Sequence, residues 1–155
     1  MRTSVNKSIL ALGALLIAGS AQASGMQTHG AQFSNYDDGQ GACEERYLNG
    51  IANACETTKN FILGMTKPYG STSYDVWLDG SHNSTSLSTY LIFSVYSYDG
   101  TYRQSARRTV SGVNGPWSRN ATFTNAEASL GYISIYASLP GSWSAFLFGA
   151  GVYDW

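Results

Sequence analysis

Between Ser88 and Tyr98 the chain reads STYLIFSVYSY, and alternate positions belong to two chemical sets. Leu91, Phe93 and Val95 make one set, and Tyr90, Ile92, Ser94, Tyr96 and Tyr98 make the other. A period of two marks a half-buried β-strand, because successive side chains point to opposite faces of a sheet. Gly131 to Leu139 repeats the pattern, with Ile133, Ile135, Ala137 and Leu139 set against Tyr132, Ser134, Tyr136 and Ser138. Ser73 to Asp79 repeats it again, with Tyr74, Val76 and Leu78 set against Asp75, Trp77 and Asp79.

Turn signals separate these runs at Asp79-Gly80, Asp99-Gly100, Asn114-Gly115-Pro116 and Pro140-Gly141. Further strands are expected at Gln32–Tyr36, Tyr47–Ala54, Lys59–Met65, Thr101–Val110, Ala121–Thr124 and Ser144–Tyr153. Glu44-Glu45-Arg46 are good helix formers, but a strand is favoured for that region. About eight short strands at regular spacing predict an all-β chain, an antiparallel β-sandwich of jelly-roll or immunoglobulin-like type. Asp99-Gly100 reads as a two-residue hairpin with positive φ at both positions. That register sets Gln104 opposite Val95 and Arg108 opposite Leu91, polar partners for core residues. Either a bulge near 104–108 or an edge position for the second strand resolves the conflict.

The N-terminal end carries an address. Arg2 and Lys7 precede an apolar run from Ile9 to Ala18, and Ala21-Gln22-Ala23 follows with small residues at the spacing a signal peptidase reads. Residues 1–23 are therefore expected to be a secretory signal peptide. The apolar run is far short of the roughly 20 residues a membrane helix needs. Residues 24–155 are expected to form a single domain, with 24–31 a flexible start, and no membrane span is expected in the mature chain. The protein is then secreted or periplasmic, and its two cysteines, Cys43 and Cys55, pair most simply as a disulfide.

Composition excludes several partners. Loss of Arg2 and Lys7 takes the nine basic residues to seven, against ten acidic ones. Nucleic acid is a poor partner for such a chain, since its affinity comes from Lys and Arg neutralising phosphates. Disorder is excluded by 14% aromatic and only 12% charged residues. Asp37, Asp38, Glu44 and Glu45 gather acid near the N-terminal end but lack the spacing of an EF-hand loop, so no metal and no cofactor is expected. The two histidines, His29 and His82, fall in expected loop or tail positions, and no G-x-S-x-G elbow, HExxH or phosphate loop is present. Asp75 and Asp79 lie about 13 Å apart along one strand, too far for a retaining glycosidase pair. A pairing of Asp75 with Asp99 or Glu127 keeps a secreted hydrolase as a minor alternative.

The feature richest in binding chemistry is a face. If the aliphatic sets form the core, Tyr90, Tyr96, Tyr98, Tyr132 and Tyr136 stand with serines on the outside, and Arg103 and Arg107 join Tyr96 there. Flat rings beside hydroxyls and Arg suit stacking on sugars or on another protein. Trp77 shares its face with two aspartates and is expected to be exposed; Trp117 and Trp143 follow turns and are expected to cap the ends of the core. The reading is a non-catalytic binding module, with polysaccharide as first partner. The alternative is a cell-surface structural or adhesive protein making protein–protein contacts. The closing Gly149–Trp155 segment resembles the last strand of bacterial outer-membrane barrels. That resemblance implies a small barrel, but the outer faces of these strands carry Ser, Asp and Arg where a barrel needs a lipid-facing apolar band.

Overall fold

The structure is a computed structural model that describes residues 25–29, 32–36, 43–124 and 131–154. Residues 1–23, expected to be a signal peptide, the acidic pair Asp37 and Asp38, and Glu127 lie outside the described residues. Two antiparallel sheets face each other. Sheet I runs β3 (Glu44–Tyr47), β4 (Gly50–Asn53), β11 (Ala145–Asp154), β6 (Tyr74–His82) and β9 (Gly115–Phe123), and β1 (Gly25–His29) also pairs with β11. Sheet II runs β2 (Ser34–Asn35), β5 (Lys59–Thr66), β10 (Gly131–Leu139), β7 (Ser88–Ser97) and β8 (Tyr102–Ser111). From β5 onward the chain crosses to the other sheet at every connection except the β7–β8 hairpin. This is the jelly-roll arrangement of a β-sandwich. Among the described residues the strands form two separate open sheets and not the closed barrel implied by the C-terminal segment. No helix among the described residues is long and apolar enough to cross a membrane.

The alternating sets fill the space between the sheets as the period requires. Sheet II contributes Phe61, Leu63 and Met65, Leu91, Phe93 and Val95, and Ile133, Ile135, Ala137 and Leu139, all buried. Sheet I contributes Ile51, Tyr74, Val76 and Leu78, Ala121 and Phe123, and Leu147, Ala150 and Val152. Burial of a side chain of this kind is worth about 1.5–3 kcal/mol, and register is fixed because a one-residue slip would turn each set to water.

The β7–β8 conflict is resolved at the sheet edge. Val95 does face Gln104 and Leu91 does face Arg108, but β8 is an edge strand. Arg108 Nε donates to the carbonyl of Asn120 at 3.0 Å, and Gln104 Nε2 to that of Thr124 at 3.4 Å. The two inward polar positions thus reach across the open side of the sandwich toward β9. The turn differs from the expected two-residue type. Among the hairpin residues only Gly100 has positive φ (86°), and the Gly100 N–H donates to Ser97 C=O while the Ser97 N–H donates to Thr101 C=O. A three-residue loop with a glycine in the left-handed position follows, and the register shifts between Val95 and Tyr96, so that Tyr96 faces Tyr102.

Three other expectations change. Residues 24–31 were expected to be flexible, yet Gly25–His29 pairs along β11 from Tyr153 to Gly149. Tyr47–Ala54 is not one strand but the second half of a β3–β4 hairpin. The strand expected at Ala121 begins at Gly115, because β6 supplies a partner through His82. The disulfide is formed as expected: Cys43 and Cys55 flank that hairpin with Cα atoms 5.0 Å apart. Buried Asn53 ties this corner down. Its Nδ2 donates to the carbonyls of Thr57 and Leu139, and its Oδ1 accepts from the Cys55 N–H.

Candidate functional site

The outer face of sheet II is laid out by its register, in rows that run across the strands. The first row is Thr66, Tyr132, Tyr96 and Tyr102, on β5, β10, β7 and β8. Beside it lie Gly64, Ser134, Ser94 and Ser105, then Ile62, Tyr136, Ile92 and Arg107, then Asn60, Ser138, Tyr90 and Thr109. Ser34 of β2 adjoins Ile62. Strand spacing sets neighbours within a row about 4.8 Å apart, and successive rows about 7 Å apart.

The first row is an aromatic ridge. The Tyr96 and Tyr132 rings stack with centroids 4.9 Å apart and planes 10° apart, and Tyr102 meets Tyr96 edge-on at 6.0 Å. Such pairs add about 0.5–1.5 kcal/mol beyond area burial. Tyr102 also donates its hydroxyl to Ser105 Oγ. The hydroxyls of Tyr96, Tyr132, Ser94 and Ser134 have no hydrogen-bond partner among the described residues. On the far side Tyr36 meets Tyr136 edge-on at 5.5 Å. The face therefore offers ring surfaces next to hydroxyls free to donate and accept.

Five of the expected residues belong to this side of the molecule, and two do not. Tyr90, Tyr96, Tyr132 and Tyr136 lie in the rows. Tyr98 stands in the hairpin loop, 81% exposed, beyond the end of the ridge. Arg103 was placed with Tyr96, but the register shift carries it out of line: its Nε donates to Ser97 Oγ, on the inward phase of β7, and Tyr102 takes the position opposite Tyr96. Its charge also helps hold the Asp99 carboxyl below the usual range, after the Thr101 N–H and the Ser97 hydroxyl, which contribute most.

Trp77 is on the other sheet. It is half-buried rather than exposed, and its ring covers Gly151, where an added Cβ would come within 2.5–2.7 Å of ring atoms. Next to it Asp75 accepts hydrogen bonds from the Thr122 and Tyr153 hydroxyls, and the bond and the carboxylate charge push the Tyr153 phenol up. Asp75 is on sheet I and Asp99 on the hairpin loop of sheet II, so they do not share a site. A shallow depression of about 460 Å³ on the same side is lined by Asp79, Gly80, Pro116, Trp117, Ser118 and Phe148. Trp117 is buried in the core cluster beside His82 at the end of β6, and Trp143 is 40% exposed with its backbone in the left-handed region (φ 59°). His82, expected in a polar loop, is fully buried at the end of β6, with Nε2 2.8 Å from Thr89 Oγ1; burial pulls its pKa below the usual value. Glu44 pairs with Arg46 at 2.6 Å.

No protein-family model and no curated protein sequence matches this chain. Solved structures do resemble it. The module BiXyn10A CBM1, in its apo form, superposes with a TM-score of 0.53 at 10% identity, over 84% of this chain and 97% of that one. The isomalto-dextranase of Arthrobacter globiformis T6, complexed with panose, gives 0.52 at 9% identity, over 83% of this chain and 23% of that one. The glycosylation-associated Gap123 complex of Streptococcus agalactiae gives 0.54 at 11%, over 84% of this chain and 25% of that one. This is a jelly-roll β-sandwich. The chain spans about a quarter of the two larger proteins and nearly all of the small module.

Sequence reasoning missed Tyr102, Tyr36, Ile62 and Gly64 as members of the face. A glycine at the third loop position was the available signal for Tyr102, because it announces the bulge that turns Tyr102 toward Tyr96.

Proposed function

We propose that this protein is a non-catalytic carbohydrate-binding module and that sugar rings stack on the outer face of sheet II. The observation that carries the reading is the Tyr132–Tyr96–Tyr102 ridge: three neighbouring rings, two of them stacked, beside unpartnered serine hydroxyls. Pyranose rings have apolar C–H faces that fit aromatic rings and equatorial hydroxyls that need hydrogen-bonding partners. Aromatic residues give large rigid contact area at low entropy cost, and small polar side chains supply the hydrogen bonds. The absence of any acidic side chain from the four rows fits binding rather than hydrolysis, which needs two positioned carboxylates. The likeness to a small module named for carbohydrate binding supports the same reading, although a shared fold does not by itself carry function across. We further propose that the chain works outside the cytoplasm, on the strength of its N-terminal apolar run and its disulfide.

The test is retention of the purified protein on insoluble chitin, cellulose and peptidoglycan. Release by soluble oligosaccharide, together with a change in tyrosine fluorescence, is the expected result. Retention by none of them, or retention that Tyr96→Ala and Tyr132→Ala leave unchanged, overturns the assignment of this face.

A further inference from the structure

Gly64 lies in the middle of β5 on the outer face of sheet II, and nothing in the fold requires a glycine there. Its φ is not in the left-handed region, and an added Cβ would meet no atom within 4 Å. Most other strand glycines have a packing reason: at Gly50, Gly80, Gly131 and Gly151 a Cβ would come within 2.3–2.5 Å of another atom. A glycine inside a strand weakens it unless something approaches closely. At Gly64 no part of the described chain approaches.

The row explains the residue. Gly64, Ser134, Ser94 and Ser105 make the one row of the four that carries only small side chains, and they lie side by side across four strands. On one side stands the tyrosine ridge, and on the other Ile62, Tyr136, Ile92 and Arg107. The backbone positions of the two walls are about 13 Å apart, and the floor is about 14 Å long from β5 to β8. Both ends are open among the described residues. β8 is the sheet edge, and β2 pairs with β5 only at Phe61 and Ile62, which leaves the β5 edge beside Gly64 without a described partner strand.

We infer that this row is the floor of a groove that takes an internal stretch of a neutral, linear polysaccharide, laid across the strands. The inference rests on the carbohydrate reading and deepens it. A groove closed at one end would select a chain terminus; one open at both ends lets the chain run through. A floor of this length accepts about three sugar rings in line. The ridge walls one flank of the chain with ring edges and hydroxyl tips, since the Tyr96 and Tyr132 faces cover each other, and Ser94 and Ser134 meet its hydroxyls from below.

Calorimetric titration with β-1,4-linked gluco-, xylo- and galacto-oligosaccharides and chitin oligomers, from one to six sugars, tests the inference. The expected result is an affinity that rises at least tenfold from one sugar to three, flattens beyond four, and is unchanged when the reducing end is converted to the alditol. Gly64→Leu is expected to unfold at the same urea concentration as the parent or higher, and to lower affinity for the tetramer at least tenfold. Ser134→Leu raises the floor from a second strand and is expected to do the same to the tetramer. Affinity that does not depend on length, loss of binding on end modification, or a folded Gly64→Leu that binds the tetramer like the parent overturns the groove while leaving a carbohydrate module in place. Failure of every oligosaccharide to bind overturns both.

Discussion

The two outer faces of the sandwich carry aromatic residues in similar numbers but hold them in different ways. On sheet I the Trp77 ring lies flat over Gly151, and Asp75 is occupied by two hydroxyls from neighbouring strands. On sheet II the ridge tyrosines lean on one another, and the hydroxyls of Tyr96, Tyr132, Ser94 and Ser134 have no partner among the described residues. An aromatic residue at an outward strand position is therefore not a binding residue on that ground. What lies under it decides. Above a glycine the ring is part of the packing, whereas between rings of its own size it keeps an edge or a face for something else.

Substituting Gly151 should break the first half of this contrast with the largest effect. A side chain there meets Trp77 ring atoms at distances no Cβ tolerates, and the strand leaves the ring nowhere to go but outward. Gly151→Val is expected to cost about 1–3 kcal/mol of stability, read as a lower urea midpoint, in line with overpacked positions elsewhere. Polysaccharide retention by the folded fraction should not change, because Gly151 is on the far sheet. Tyr96→Ala should show the reverse. It removes the centre of the ridge, and retention is expected to fall at least tenfold, while stability drops by only about 1 kcal/mol for the lost ring pairs. Should Tyr96→Ala cost more stability than Gly151→Val, the division between a packed face and an available one does not hold.

How far the sequence foretells these faces depends on whether an element's own residues or its partner set its structure. β7 and β10 are legible because each carries two contrasting sets of side chains, so period, burial and facing all follow from one reading. β1 and the first half of β9 are not. Gly25–His29 has no alternation, and Pro116 to Arg119 reads as a turn and its polar continuation; each becomes a strand because β11 or β6 offers an unpaired backbone edge. The tyrosines of the face were visible for the same reason as the strands that bear them. Arg103 falls out of line with Tyr96 and Tyr102 takes that place, because the three-residue loop closed by Gly100 pairs Tyr96 with Tyr102 and leaves Arg103 as the extra residue. Trp77 was misjudged because its partner, Gly151, lies on a strand 74 positions away in the chain, and local pattern cannot see a glycine across a sheet.

pH should separate the interior from the face by a smaller margin. Buried His82 is held neutral, with its pKa below the usual 6.5. In the unfolded chain the imidazole takes up its proton at the ordinary value, so between that value and the lower folded one the unfolded state binds more protons. Stability is then fully present above about pH 6.5 and is lost as pH falls through the folded pKa. Urea midpoints are expected to decline from pH 7 to pH 5 in the parent, and to decline less in His82→Gln. The rows of sheet II hold no carboxylate and no histidine, so affinity for oligosaccharide should stay level over the same range. A binding curve that follows the stability curve would mean that the face is not independent of the core.

The smallest effect is expected from Tyr132→Phe, and it asks what the ridge contributes. The ring stays, stacked on Tyr96 at 4.9 Å, and only a hydroxyl with no partner in the described chain is removed. Stability should not move, because no hydrogen bond within the protein is lost. If the ridge works by stacking, affinity should fall by no more than about threefold, the scale of one hydrogen bond exchanged against water. Tyr132→Ala, which also removes the ring, should lose far more. Equal losses from the two substitutions, measured by the same calorimetric titration, would move the site's strength from the ring faces to their hydroxyl tips. The tyrosines would then be hydrogen-bonding posts along the groove, and the stacked pair would belong with Trp77 as packing.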